Sequence, residues 1–509
     1  MTLRIHTTPL RPTIDLPAAR SGGFDPALKE AILRAPGTEA LLAKLDAPDV
    51  LVVTTGQQPG LFTGPLYTIH KALSAKALAG LLEARWERPV VPLFWLANDD
   101  HDFAEASGAA WLRADGTVAE RHLTPRPADA PQLPMYRTPL GGEITALVAE
   151  LAADLRPLQW GKDAAMWIEH HWRPGRTVGE AYAGSLAELL GRAGVLTFDP
   201  THRSAKRAMA PHLIKALGLA RELDRDLHTR AGELAAIGQD GGVPVGDGAT
   251  LVMLEGREGR DRLVADGDGF VTRRSEERFT LAQLQGLAAA EPERLSPNVL
   301  LRPVIEATIL PTVAYLAGPG ELRYWQLTPP IYSRMRTTPQ AALPRWSGII
   351  VEPRVTRALE AFGATLDDLT SATTELERRI AAAGMSPVMK QALTRLRTEV
   401  EAQFAVLEME GSAVAPQLVR ALQTLHQKME WLTERTEGKV VAHLRRRDAE
   451  GMARLARARD TVRPLGAPQE RTLTVAPFLA RYGPGILDEI AATARTWYAA
   501  ALEGRTPTP

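Results

Sequence analysis

The run Val50-Leu51-Val52-Val53-Thr54 constrains this chain more than any other feature. It does not alternate apolar with polar residues, so a strand there is covered on both faces, the condition of a strand inside a parallel sheet. It leads into an eleven-residue Gly/Pro/Gln-rich loop, Thr55 to Pro65, and then a helical pattern from Leu66 to about Arg85. The unit recurs. Val90 to Leu96 is a second covered strand and ends in Asn98-Asp99-Asp100-His101-Asp102. A helix from about Val178 to Gly191 leads to the strand Val195–Phe198, and Pro311 to Leu316 ends in Gly318-Pro319-Gly320-Glu321. Ser347 to Val351 reads as one more strand. Alternating strands and helices predict an α/β fold, a Rossmann-like doubly wound parallel sheet. Small insertions interrupt it: a hairpin around Asp115-Gly116 and a glycine-punctuated antiparallel unit over Thr250–Arg274.

After Pro353 the strands stop. Met389, Leu393, Leu396, Val400, Phe404 and Leu407 recur in steps of three and four, and Leu418, Leu422, Leu425, Met429 and Leu432 repeat the seam. Gly411-Ser412 lies between them. Heptads on two joined helices predict an antiparallel α-helical coiled-coil arm that carries a homodimer. The expected organisation is a Rossmann-like core over 1–353 with insertions at about 100–175 and 220–295, a helical linker and arm over 354–463, and a segment over 464–509 that packs back on the core.

Composition excludes several classes. Lys+Arg and Asp+Glu are both 60 in 509 residues, a balance that argues against a nucleic-acid partner. No apolar run has the length of a signal peptide core or a membrane span, so no membrane partner and a cytoplasmic location are expected. Cysteine is absent, which removes disulfides, thiolate metal sites and a cysteine nucleophile.

In an open α/β sheet, ligands bind beyond the carboxyl ends of the strands. The Thr55–Pro65 loop is placed there. Gly56 and Gly64 permit close backbone approach, Gln57 and Gln58 offer neutral donors and acceptors, and Pro65 suits the first turn of a helix whose free N–H groups attract anions. One turn on, His70 and Lys71 are within reach of an anion, unless they are simply a core histidine and a solvated lysine. His101, flanked by Asp100 and Asp102, has the surroundings of a general base, with loop capping as the plainer reading. These acids are adjacent rather than facing, so no metal site is assigned. Asn298 and Arg302 flank an apolar run, and Arg302 either clamps a carboxylate or phosphate or pairs with Glu306. Gly318, Gly320 and Glu321 form another tight turn at a strand end.

Spacing alone stops at a ligand site with anion-binding loops. The residues themselves carry a resemblance. The run Thr55 to Lys71, including Tyr67, closely resembles the signature of the bacillithiol biosynthesis cysteine-adding enzymes, the BshC family of cysteine ligases. The likeness continues at Val91–Leu96, Asp100–Phe103, Ser296–Val299, Leu301–Pro303, Thr308–Thr312, Gly318–Glu321, Pro468–Arg471 and Tyr482–Pro484. It departs at Asn98-Asp99, where Gly-Glu is usual. The resemblance implies a Rossmann-like core with a coiled-coil dimerisation arm. It implies a ligase that adds cysteine to the amine of glucosaminyl-malate to give bacillithiol. An activated cysteine carboxyl is then expected, with ATP or ADP and Mg²⁺ as cofactors. His101 or His70 would serve as base, and Lys71 or Arg302 would hold malate carboxylates. The alternatives are a nucleotidyl- or acyl-transferase acting on another small substrate with the same fold, and a non-enzymatic coiled-coil scaffold.

Overall fold

The computed structural model describes residues 3–8, 14–15, 17–371 and 375–505. They form two compact units, Ile5–Ile350 with Gln469–Pro509, and Met1–Arg4 with Val351–Pro468.

The first unit is built on β1 (Leu51–Gln57), α1 (Tyr67–Trp86), β2 (Val90–Leu96), α2 (Val178–Arg192), β3 (Leu196–Phe198), α3 (Arg302–Ile309), β4 (Thr312–Ala317), α4 (Pro319–Trp325) and β5 (Ala341–Pro344). The strands lie in the order β5-β4-β1-β2-β3, and every neighbouring pair is parallel. The chain therefore winds outward from β1 in one direction through β2 and β3, then returns to its other side for β4 and β5. The direction of winding reverses between β1 and β4, which opens a crevice at their carboxyl ends. β1 is buried from Leu51 to Gly56 and β2 along its whole length, as their unbroken apolar composition requires. Helix α1 is buried on nearly all sides in its first turns because the sheet covers one face and a C-terminal helix, Gly485–Leu502, covers another.

The strand expected over Ser347–Val351 exists as Gly348–Val351, but it pairs with Arg4–Thr7 outside the main sheet. The fifth parallel strand is instead Ala341–Pro344, too short and too proline-adjacent to stand out in the sequence. Gly108–Leu112 and Val118–His122 form the expected hairpin. The glycine-punctuated insertion is larger than its sequence pattern. It is a five-stranded antiparallel sheet that recruits Arg278–Phe279 and, at its far edge, Leu295–Pro297.

In the second unit two long helices, α5 (Pro387–Val414) and α6 (Pro416–Arg447), run antiparallel. Arg397 pairs with Glu437 at 2.5 Å, and the His426 ring stacks on Phe404 with centroids 4.8 Å apart. The turn is not at Gly411-Ser412. Helix α5 continues through both and breaks at Ala415, whose extended backbone delivers Pro416 to the first turn of α6. Gly411 is helical, and since a Cβ there would come within 2.8 Å of Leu422 Cδ1, its bare Cα lets the helices close near the tip. Among the described residues, no helix is long and apolar enough to cross a membrane.

Candidate functional site

A cavity of about 580 Å³ lies over the carboxyl ends of β1, β2 and β4, at the reversal of winding. Gly56, Gln57 and Gln58 line it from β1, Asp99, Asp100 and His101 from the loop after β2, and Gly318, Gly320 and Glu321 from the turn after β4. The inserted sheet forms another wall through Met253, Arg260 and Arg262.

On the Rossmann side each buried cation is matched. Lys71, on α1, has its Nζ 2.5 Å from Glu321 Oε2 and donates to Gly56 O at 2.7 Å and Gln57 Oε1 at 2.9 Å. Burial lowers the Lys71 pKa, against the opposing pull of Glu321. Burial would raise that of Glu321, but Lys71 and the Tyr315 hydroxyl, 2.6 Å away, hold it below its ordinary value. The N–H of Gly318 also donates to Glu321, closing the turn. Arg302 donates to Glu306 at 2.8 Å and lies over the Tyr315 ring, so the pairing reading of Arg302 is the one the structure displays. Glu306 is fully buried and bonded by the Thr54 hydroxyl, which ties α3 to β1.

The third matched cation is Arg345, just past β5, whose two terminal nitrogens donate to Glu470 at 2.8 and 2.6 Å. Glu470 also accepts from His70 Nδ1 at 3.0 Å. His70 is completely buried against Trp346 and does not line the cavity. Its expected role as a base is corrected: it supports Glu470, and through it Arg345, from behind. Burial lowers its pKa, so the ring is neutral at physiological pH.

Four other expectations also move away from the cavity. Thr55 turns its hydroxyl to Leu316 O at 2.8 Å inside the sheet. Gly64 and Pro65 lie outside the cavity lining, because Leu61 and Phe62 draw this part of the loop into the core, where Phe62 packs edge-on against Trp111 and Trp172. Helix α1 then begins at Tyr67, and the N–H of Leu66 donates to Leu473 O rather than to a ligand. Asp102 accepts from Glu105 N at 3.1 Å and caps a short helix. Asp99, at the departure from the family pattern, pairs with the buried Lys206 at 2.8 Å.

The remaining expectations meet in the cavity: Gly56, Gln57, Gln58, Tyr67, Lys71, Asp100, His101, Asn298, Arg302, Gly318, Gly320 and Glu321. Gln57 donates to the Tyr67 hydroxyl, and burial pushes the Tyr67 pKa up to about 12. Asn298 accepts from the N–H groups of Leu300 and Leu301, so its side chain shapes the turn before α3. His101 Nδ1 lies 3.3 Å from Arg260 Nη1. An arginine only donates, so Nδ1 accepts and the neutral ring carries its hydrogen on Nε2. Burial and Arg260 lower the His101 pKa. In this arrangement the ring's hydrogen, on Nε2, is left as a donor.

Arg260, Arg262, Arg345, Arg471 and Glu105 also line the cavity and were not singled out by the sequence. Arg260 and Arg262 had one available signal, same-face spacing in a strand whose intervening Asp261 is buried. Arg345 had none, being an isolated cation just past a short strand; Arg471 sits in the short helix Gln469–Thr472, and its one signal was the Pro468–Arg471 stretch of family likeness. Among the described residues, no cluster of three or more metal-ligating side chains occurs.

The comparisons with known proteins agree with this architecture. Residues 27–346 match the model of the bacillithiol biosynthesis BshC N-terminal Rossmann-like domain, and 348–496 match the BshC C-terminal coiled-coil domain. A curated relative from Solibacter usitatus is 34% identical over 92% of this chain and 87% of its own length. One from Salinibacter ruber is 30% identical over 90% of this chain and 83% of its own. Both carry the name "Putative cysteine ligase BshC". With both halves matched and the same two-part architecture in the structure, the chain belongs to the BshC family of bacillithiol biosynthesis.

Proposed function

We propose that this protein is a cysteine ligase that joins the carboxyl carbon of cysteine to the amine of glucosaminyl-malate, giving bacillithiol. The observation that carries the reading is the convergence of three strand-end loops and the inserted sheet on one polar cavity at the switch point of the sheet. The substrates are small molecules, and the cavity volume suits an amino sugar with its aglycone.

Amide formation from a free carboxylate is uphill in water, so the carboxyl must arrive activated. The deprotonated amine attacks that carbon, the C–N bond forms, and the activating group leaves with the electron pair of the C–O bond. Glu105 is suited to take the amine proton. Partial burial at the rim, with Asp102 and Asp100 nearby, holds its carboxyl above its ordinary value. His101, with hydrogen on Nε2, donates to the carbonyl oxygen as charge develops on it. ATP with Mg²⁺ would supply the activation. Arg471, near the Tyr67 ring, suits its phosphates, and Mg²⁺ held largely by those phosphates needs at most one or two carboxylates. The Gly64–Pro65 turn does not fit a phosphate cradle, since it faces the core.

The test is reconstitution with cysteine, glucosaminyl-malate and ATP, together with the thiol profile of a strain lacking the protein. Loss of bacillithiol with accumulation of glucosaminyl-malate is expected. An unchanged profile would sink the assignment. In the reconstituted reaction His101→Ala is expected to slow product formation about 10²-fold with an unchanged melting temperature, the scale of a lost transition-state donor.

We also propose that the α5–α6 hairpin carries a homodimer. Leu396, Leu407, Leu418, Leu425 and Leu432 are between 40% and 51% exposed, so one hairpin leaves its seam half open. Sedimentation of the full chain is expected to give a dimer that Leu→Glu changes at Leu407 and Leu425 dissociate. A monomeric wild type ends the idea.

A further inference from the structure

The cavity's inserted wall presents two guanidinium groups with no carboxylate to balance them. The strand Gly259–Asp266 pairs with Ala249–Gly256, and along it Asp261 and Leu263 are buried while Arg260 and Arg262 lie on the opposite, cavity face. Residues two apart on a strand are about 7 Å apart at Cα. The carboxylate directly across from Arg260 is Glu255, and it is already engaged by the Tyr136 hydroxyl at 2.6 Å and by Arg137 at 2.8 Å. Arg260 is held by three neutral acceptors instead: Ser296 Oγ at 3.0 Å, Pro297 O at 2.7 Å and His101 Nδ1 at 3.3 Å. Two of its five N–H groups remain for a ligand. The Arg262 guanidinium has no hydrogen bond or ion pair among the described residues.

We propose that Arg260 and Arg262 form a dicarboxylate anchor that takes the two carboxylates of the substrate's malyl group. This rests on the ligase reading above and replaces Lys71 and Arg302 in that role, because those two are already bound to Glu321 and Glu306. Each planar guanidinium matches a carboxylate with paired N–H groups. A four-carbon diacid separates its carboxylates by a span that two long side chains on one strand face can bracket. The anchor also places the aglycone next to His101, with the sugar directed toward the carboxyl ends of β1 and β2.

The test uses the full chain with Arg260→Gln, Arg262→Gln and Arg262→Lys. With glucosaminyl-malate, Arg262→Gln is expected to raise KM at least tenfold and to leave kcat within a few-fold, whereas Arg260→Gln, which also removes the contact that sets the His101 tautomer, is expected to raise KM and lower kcat together. The lysine variant should fall between, since it keeps the charge and loses the fork. L-malate alone, followed by calorimetry with L-lactate as the monocarboxylate control, should bind the wild type and not the glutamine variants. An unchanged KM in an active enzyme overturns the anchor and leaves the ligase reading intact. If the wild type makes no product, the ligase reading fails, and malate titration still decides. Binding lost in the variants supports the anchor; no wild-type binding, or equal binding in all proteins, overturns it.

Discussion

Cations enter the cavity from two regions, and the two treat charge differently. On the Rossmann side Lys71, Arg302 and Arg345 each meet a carboxylate from elsewhere in the sequence: Glu321, Glu306 and Glu470. On the inserted sheet Arg260 and Arg262 meet none, and Glu255, across the ladder from Arg260, is held by Tyr136 and Arg137. Matched charge holds elements in place and fixes donor direction. Unmatched charge at the cavity wall carries a cost, since burial and the neighbouring Arg273 and Arg260 lower the Arg262 pKa, and an anionic ligand would relieve it. The edge of the parallel sheet is thus built as scaffold, and the insertion supplies the recognition.

The sharpest way to break this contrast is to remove a carboxylate from the scaffold. Glu470→Ala leaves Arg345 buried and unpaired and takes the partner from His70, which is expected to cost about 3–5 kcal/mol in urea unfolding. An unchanged midpoint would show that the pairing supports nothing. A smaller effect is expected from acid. His70 has a folded pKa below its ordinary 6.5, so the unfolded chain takes up its proton first. Its contribution is complete above about pH 6.5 and is lost as pH falls toward the folded value, at up to about 1.4 kcal/mol per pH unit for one proton. His70→Gln should flatten that slope in unfolding titrations between pH 7.5 and 5.5, leaving the shares of His101, His171 and His212, which burial shifts the same way. An equal slope in both proteins would place the titration elsewhere. The smallest effect belongs to the insertion: Arg262→Gln should change stability by no more than about 0.5 kcal/mol, as expected for a side chain with no partner to lose. A loss comparable to that of Glu470→Ala would erase the distinction.

The sequence was most legible where local pattern and tertiary role coincide. The covered strands β1 and β2 could be read because parallel burial needs an unbroken apolar run, and the strand-end glycines because tight turns need them. Helix seams were legible too, yet the position of their turn was not. Gly411 looks like a breaker, but tertiary contact with Leu422 gives it a helical role and leaves Ala415-Pro416 as the break. The Thr55–Pro65 loop was half legible. Its first residues face the cavity, whereas Phe62 pulls the rest inward, and nothing in the local spacing distinguishes the halves. His70 and Lys71 are adjacent, so one faces the Glu470 pair and the other the cavity; only the helix's placement between sheet and C-terminal helix decides which. Glu470 and Arg345 are 125 residues apart, and such pairings have no local signature.

The strand Gly259–Asp266 begins in a two-residue turn. Its hairpin pairs Gly256 with Gly259, with only Arg257 and Glu258 between them, and Gly259 takes φ +76° where Gln132 leaves no room for a Cβ. That turn sets the phase of everything after it. Were the turn one residue longer, alternate side chains would exchange faces: Asp261 and Leu263 would point to the cavity, and Arg260 and Arg262 would point to the interior. The wall would then repel anions. A two-residue turn beside the cavity therefore decides the sign of the potential at its wall.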